Sequence, residues 1–167
     1  SITVVAYPMD KHIPFEELSD YFVPLLPVNK TLVILGESYS GPVALSLAAR
    51  DDLDIAGVIL VATFAKYPAS LLKSLSSYLP LSLLFRLPIP DFIIRQYCFG
   101  SRGSKTLDKQ LRDSVRANKV DVLSKRAHEG AGIDVSALLS KIKVPCMYIA
   151  ATNDNLVPAA AIEHLKT

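Results

Sequence analysis

Short apolar runs alternate with helical patterns along the first third of the chain. Ile2–Tyr7, Thr31–Leu35 and Val58–Ala62 are continuous apolar runs rich in β-branched residues, which is typical of buried strands. Between them, Phe15–Leu26 and Pro42–Arg50 have the composition of helices. Strands that alternate with helices predict a parallel sheet with right-handed crossovers, which is an α/β fold.

The alternation stops after the third apolar run, and no strand pattern is convincing from Phe64 to about Ile142. Leucines at helical spacing occupy this stretch: Leu71, Leu72, Leu75 and Leu79, then Leu107 and Leu111 with Val115. The predicted sheet resumes at Pro145–Ala151, and Pro158 opens a last helix. The sequence therefore predicts a core of residues 1–63 and 143–167, with a helical insertion of residues 64–142.

The insertion leaves the predicted sheet at the end of a strand. In α/β sheets the loops after the strands lie at the carboxyl edge, where ligands bind. We therefore expect the insertion to cover that edge as a cap or lid. A second helical layer without a gating role is the alternative.

The segment Gly36–Gly41, GESYSG, joins a predicted strand to a predicted helix. A serine between small residues in a strand–turn–helix context is typical of a nucleophile elbow, in which the turn exposes the serine hydroxyl. Ser38 is the predicted nucleophile, and Gly36 and Ser40 are the small neighbours that the tight turn needs. The alternative is an ordinary helix N-terminus capped by Ser38 or Ser40.

A serine hydroxyl needs a base to take its proton and a carboxylate to orient that base. Asp154 is the candidate acid, because it follows the Pro145–Ala151 run in a turn at the same predicted sheet edge as Ser38. The alternative for Asp154 is an ordinary Asx-turn or helix cap.

The chain has three histidines, and none has an obvious place as the base. His12 follows the first apolar run, and His128, near the end of the insertion, could fold over the site. His164 follows Asp154 on a predicted helix and is expected at the surface. The favoured interpretation is that the base lies outside this polypeptide, with His12 and His128 as the remaining candidates.

Bulk properties narrow the function classes. Half of the 167 residues are hydrophobic, which suits strands covered on both faces, yet no run reaches the ~18 apolar residues of a membrane span. The first residues show no signal-peptide pattern, and the net charge of +2 supports no nucleic-acid partner. The basic residues of the insertion are predicted to form a solvated helix face: Arg112, Arg116, Lys119, Lys125 and Arg126.

Cysteine usage is sparse. Cys98 and Cys146 are far apart and indicate neither a metal cluster nor a disulfide framework. Cys146 is expected to be a small buried apolar side chain. A reducing, cytoplasmic location is the default expectation, and no cofactor or metal is implied.

The elbow and its surroundings resemble the α/β-hydrolases, specifically capped bacterial esterase- and lipase-like members. Glu37–Pro42, Val58–Phe64 and the approach Ile142–Pro145 to Asp154 carry this resemblance. It implies an incomplete sheet of the α/β-hydrolase type with a helical cap inserted between two strands, and the chain order serine, acid, histidine. It also implies that the backbone N–H of Tyr39 forms half of an oxyanion hole.

The chain departs from the family pattern in two places. The family's histidine follows one further strand after the acid, and its second oxyanion donor lies in a glycine-rich loop upstream. The sequence therefore resembles the middle of a larger hydrolase.

The resulting hypothesis is hydrolysis of a carboxylic ester or thioester, with a small-molecule acyl substrate and an acyl–Ser38 intermediate. Exposed apolar residues of the insertion could bind a second copy of the chain, so a homo-oligomer is a further possibility. The first alternative is a non-catalytic protein of the same fold that binds a small apolar ligand or a partner chain. A second is an unrelated doubly wound domain that binds an anion at the Gly36–Gly41 turn.

Overall fold

A computed structural model describes residues 1–67, 103–151, 154, 157, 160–163 and 165. Four expectations fall outside these residues: the leucine helix at 71–79, Cys98, Pro158 as the start of the last helix, and His164.

The predicted parallel sheet is confirmed. Its strands are β1 (Leu32–Glu37), β2 (Ile55–Val61) and β3 (Cys146–Ile149). They pair in parallel in the order β1-β2-β3. All three carboxyl ends therefore lie at one edge, where the segments that follow β1 and β3 contain Ser38 and Asp154.

Several helices lie close to the predicted positions in the chain. The described helices are α1 (Phe15–Phe22), α2 (Ser40–Ala48), α3 (Lys105–Ala117), α4 (Val120–Gly130) and α5 (Ala160–Glu163), with 3-10 turns at Val23–Leu25 and Ser136–Lys141. The side chain of Ser104 accepts the Leu107 N–H and so caps α3, as expected of serine before a helix. No helix in the described part of the chain has the length and apolarity to cross a bilayer.

The core lies between α2 and the sheet. α2 is apolar nearly all round, because it packs on β1 and β2 on one side and receives α1 on the other. Leu45 and Val58 are each 1 % exposed at its centre. Burial of such side chains contributes about 1.5–3 kcal/mol each to the free energy of folding. The packing of α2 on the sheet therefore holds the turn that precedes this helix in place.

The prediction of a strand over Ile2–Tyr7 is wrong. Residues 1–8 have no regular structure, and Ile2 and Val4 are 93 % and 85 % exposed. A strand needs a neighbour to pair its N–H and C=O groups, and none of the described strands pairs with this segment. Apolar β-branched composition alone therefore does not make a strand.

The expectation that the strands are covered on both faces is also wrong for these residues. Val33 and Leu35 of β1 are 61 % exposed, and Met147 of β3 is 60 % exposed. Alternate side chains point to opposite faces, and α2 covers only one of them. Cys146, expected to be buried, is exposed because β3 is the last strand of the described sheet.

The polypeptide leaves the core after β2 and returns beside its own exit. Lys66 and Asp134 form an antiparallel bridge, supported by hydrogen bonds from Tyr67 N to Ile133 O (3.3 Å) and from Val135 N to Ala65 O (2.8 Å). The side chains of Lys66 and Asp134 form an ion pair at 2.7 Å. These contacts form a stem at the base of the predicted insertion.

Candidate active site

Ser38 lies in the sharp turn between β1 and α2 and is exposed. Its φ of 51° is in the left-handed region, which L-residues other than Asn and Asp seldom adopt. The turn is fixed by hydrogen bonds from Ser38 N to Val61 O (3.0 Å) and from Gly41 N to Ser38 O (3.1 Å). A strained serine held between a strand and a helix is the backbone geometry of a nucleophile elbow.

The glycines on either side of Ser38 are required by close approach of the backbone. A Cβ on Gly36 would lie 2.6 Å from Ser40 O, and a Cβ on Gly41 would lie 1.9 Å from Thr63 Oγ1. Gly41, and not Ser40, is therefore the residue on the helix side that has no room for a side chain. Ser40 instead accepts a hydrogen bond from the Tyr7 hydroxyl at 3.1 Å.

Thr63 supports the elbow from below and was missed by the sequence interpretation. It is fully buried after β2, and its hydroxyl donates to the carbonyl oxygen of Ser38. The Tyr148 hydroxyl of β3 donates to Thr63 O (2.9 Å) and accepts from Thr63 N (3.2 Å). The elbow is thus linked through Thr63 to the strand that leads to Asp154. A threonine directly after a buried strand was the available signal.

Asp154 is half-buried beyond the end of β3. Its Oδ1 accepts the backbone N–H of Val157 at 2.8 Å, which is the capping contact named as the alternative to a catalytic role. Burial, and secondly the negative charge of Asp154, raise the pKa of Tyr67. The same two causes raise the pKa of Tyr148, against a hydrogen bond with Thr63 that lowers it. Asp154 therefore acts electrostatically on the tyrosine that holds Thr63.

The two described histidines lie in different elements, His12 in the loop before α1 and His128 in α4. His12 Nε2 lies 3.2 Å from Glu129 Oε2, with 18 % of its side chain exposed. His128 is exposed in the last turn of α4. No hydrogen bond between described residues joins either histidine to Ser38.

Tyr39 begins the entry into α2, directly after Ser38. None of the backbone hydrogen bonds found within the described ranges uses its N–H. Its hydroxyl donates to Glu129 Oε2 at 2.9 Å, and its ring meets those of Tyr7 and Phe15 edge-on at 5.8 and 6.5 Å. Burial, and then the carboxylate of Glu129, raise the pKa of the Tyr39 phenol, so the hydroxyl stays protonated and remains a donor.

Helix α4 docks against the elbow and the loop before α1. Glu129 Oε1 accepts the Phe15 N–H at 2.8 Å, and Lys119 N donates to Met9 O at 3.0 Å. Arg126 donates to the Pro8 carbonyl, and its guanidinium lies 5.1 Å from the centre of the Tyr7 ring. The prediction of a purely solvated basic face is therefore wrong for Arg126. Glu129 was missed, because nothing in its local sequence separates it from other surface glutamates.

The family model of serine aminopeptidase S33 matches residues 20–166, which is most of the chain. The chain belongs to this α/β-hydrolase family. No curated protein sequence matches it significantly.

Solved structures support the same fold. A hydrolase from Pseudomonas aeruginosa PA01 is 19 % identical, with a TM-score of 0.66 over 96 % of this chain and 62 % of its own. A lipase-esterase related protein from Clostridium acetobutylicum ATCC 824 is 16 % identical, with a TM-score of 0.68 over 90 % of this chain and 59 % of its own.

An enol-lactonase from Burkholderia xenovorans LB400 is 19 % identical, with a TM-score of 0.62 over 92 % of this chain and 60 % of its own. The chain thus spans about three fifths of the length of these structures. At these identities the likeness establishes the α/β-hydrolase fold, which confirms the predicted fold class.

The described side chains bring no group of three or more His, Cys, Asp or Glu residues into position to hold a metal ion. The chemistry that the arrangement offers is that of an exposed serine oxygen beside a backbone N–H. Both lie at a sheet edge that also carries a carboxylate.

Proposed function

We propose that this S33-family chain carries the nucleophile of a serine hydrolase that cleaves a carboxylic ester or thioester. The observation that supports it most is the φ of 51° at exposed Ser38, between a strand and a helix with no room for a side chain at Gly36 or Gly41. An ordinary capping serine has a negative φ and no need for such crowding. The strained turn is stabilised by the buried hydroxyl of Thr63 and serves to present Oγ to a substrate.

In the proposed reaction, Ser38 Oγ attacks the acyl carbon and its proton passes to a base. The C–O or C–S bond then breaks, and the alcohol or thiol leaves with that proton. Water hydrolyses the acyl–Ser38 ester in a second, equivalent step. The Tyr39 N–H is the proposed donor to the oxyanion, because Tyr39 follows the nucleophile and none of the backbone hydrogen bonds within the described ranges uses this N–H.

Asp154 is the proposed acid that orients the base. Its position in the segment that follows β3, at the carboxyl edge of the sheet, supports this role. For the base we propose a histidine outside this polypeptide, since His12 is bonded to Glu129 and His128 lies exposed on α4, while the sequence predicts His164 at the surface of a helix.

Residues 64–142 are proposed to form a cap over the Ser38 edge, on a core of residues 1–63 and 143–167. The stem at Lys66 and Asp134 and the contact of α4 with Tyr39 support this division. The substrate class is then a small acyl ester or thioester whose acyl group lies between core and cap.

The test is covalent labelling of the full-length protein with a fluorophosphonate. Oxygen of the nucleophile displaces fluoride from phosphorus, so labelling reports an activated serine. We expect labelling of wild type and of Ser40→Ala, none of Ser38→Ala, and a loss of about 10⁴-fold in rate for Asp154→Asn. Ser40 is the matched control, because it is a hydroxyl in the same turn that contacts Tyr7.

Labelling that persists in Ser38→Ala would refute the nucleophile role. Wild-type protein that resists the probe and hydrolyses no p-nitrophenyl ester would favour the non-catalytic alternative.

A further inference from the structure

The carboxylate of Glu129 accepts hydrogen bonds from three separate places in the chain. Phe15 N donates to Oε1 at 2.8 Å, the Tyr39 hydroxyl donates to Oε2 at 2.9 Å, and His12 Nε2 lies 3.2 Å from Oε2. Only 21 % of the Glu129 side chain is exposed. A carboxylate is a strong hydrogen-bond acceptor, so this group can orient the three donors around it.

One of these donors is the residue that follows the proposed nucleophile. The Tyr39 side chain is fixed at its hydroxyl by Glu129, and its ring lies against Tyr7, Phe15 and the end of α4. A Cβ on Gly130 would lie 3.3 Å from Tyr39 Cδ2, so the helix backbone is close to the ring. A side chain held at both its ring and its hydroxyl restricts its own backbone, including the N–H proposed for the oxyanion hole.

We propose that Glu129 is a positioning residue for the oxyanion hole and acts through Tyr39. It belongs to the insertion, whereas Tyr39 belongs to the core turn, so the contact couples the docked position of α4 to the direction of the Tyr39 N–H. This inference rests on the proposed serine-hydrolase function.

The role predicts a specific kinetic pattern. Removal of a complete oxyanion donor costs about 10²–10³ in kcat, and a misaligned donor costs less. We expect Glu129→Ala to lower kcat by about 10–100-fold and to leave KM within about twofold, because the oxyanion forms only in the transition state.

The experiment compares variants of the full-length protein in hydrolysis of a p-nitrophenyl ester. Glu129→Gln keeps a polar partner for the tyrosine hydroxyl and should restore kcat to within about fivefold of wild type. Tyr39→Phe should resemble Glu129→Ala. The double variant should be no worse than Glu129→Ala alone, because residues that act through one contact are non-additive. Asp121→Asn, an exposed acid on the same helix, is the control and should match wild type.

A transition-state analogue separates positioning from general stability. A trifluoromethyl ketone forms a tetrahedral oxyanion with the nucleophile, whereas the corresponding alcohol binds without forming one. Glu129→Ala should weaken the ketone in proportion to kcat/KM and leave the alcohol unchanged.

Three results would overturn the proposal: unchanged kcat in Glu129→Ala or in Tyr39→Phe, equal weakening of ketone and alcohol, or additive effects in the double variant. If Glu129→Ala does not fold, the kcat values of Tyr39→Phe and Glu129→Gln test the proposal in its place. The activity of Ser38→Ala is measured in the same assay. Activity that survives this substitution would instead show that the proposed serine-hydrolase mechanism itself is wrong.

Discussion

Two side chains support the same strained turn in different ways. Thr63 lies under the elbow, is fully buried, carries no charge and belongs to the segment that directly follows β2. Glu129 lies beside the elbow and is a partly exposed carboxylate. It belongs to α4, within the predicted insertion that the stem closes. Thr63 is fixed once the sheet and α2 pack, whereas Glu129 contacts Tyr39 only while α4 is docked.

We expect Thr63 to stabilise the fold of the turn and Glu129 to affect mainly the orientation of Tyr39 within it. The Ser38 carbonyl accepts a hydrogen bond from the fully buried Thr63, so we expect the loss of that hydroxyl to act on the free energy of unfolding. The Tyr39 hydroxyl bonds a carboxylate that water partly reaches, so its loss costs less free energy of unfolding and acts mainly on geometry.

The largest loss of stability is expected when a side chain is added at Gly41, next to the buried Thr63. In Gly41→Val a Cβ would lie 1.9 Å from Thr63 Oγ1 and 2.5 Å from Thr63 Cγ2. Overpacking of a core costs typically about 1–3 kcal/mol, and here it also breaks the Thr63–Ser38 bond, so we expect a loss of about 3 kcal/mol or more in urea unfolding.

Gly132→Ala is the control for this change, because its Cβ would meet Glu129 O at an ordinary 3.6 Å. It should stay within about 0.5 kcal/mol of wild type. Equal losses in the two variants would show that the space at Gly41 is not limiting.

The next effect is removal of the buried hydroxyl. Thr63→Val keeps the shape but leaves the Ser38 carbonyl with one donor fewer, and we expect a loss of about 1–2 kcal/mol in the free energy of unfolding. Thr63→Ser retains the donor and should recover part of that loss. A Thr63→Val protein as stable as wild type would mean that the hydroxyl does not support the turn.

A smaller effect is expected beside the elbow. Tyr39→Phe removes the hydroxyl that donates to Glu129, and we expect a loss of about 0.5–1 kcal/mol because the carboxylate is partly hydrated. Tyr21→Phe is the matched control, since the contacts found for Tyr21 involve its ring with Phe22 and Lys11. A Tyr39→Phe loss above that of Thr63→Val would reverse the comparison.

The smallest effect is expected at the stem. Hydrogen bonding to Lys66, and then to Ser136, holds the pKa of Asp134 at about 2. A carboxyl group with a lowered pKa in the folded state stabilises fully above its unfolded value of 3.8 and loses that contribution as the pH falls towards 2. Both side chains are more than one third exposed, so the gain is below about 1 kcal/mol.

Urea midpoints of wild type and Asp134→Asn at pH 6, about 4 and about 3 test this. The advantage of wild type should shrink as the pH falls. An advantage that grows in acid would contradict the assigned direction.

Local sequence predicted the elements that a strand–turn–helix unit specifies by itself. The apolar runs before Ser38 and Asp154 are β1 and β3, and the Ala- and Leu-rich run after the GESYSG turn is α2. The same reasoning failed for Ile2–Tyr7, which is equally β-branched. A strand forms only beside a neighbouring strand, and the local sequence of a segment does not show whether such a neighbour is present. It also overestimated burial at Val33 and Leu35, since composition does not say which face a helix covers.

The sequence by itself determined the parallel sheet, the serine turn and the edge that carries Asp154, because glycine spacing and apolar periodicity are local properties of the chain. Only the tertiary structure decided that Thr63 lies beneath Ser38, that Gly41 has no room for a side chain, and that Glu129 reaches Tyr39 from 90 residues away. The physical reason is that these contacts join segments far apart in the chain, and packing, not local preference, selects them.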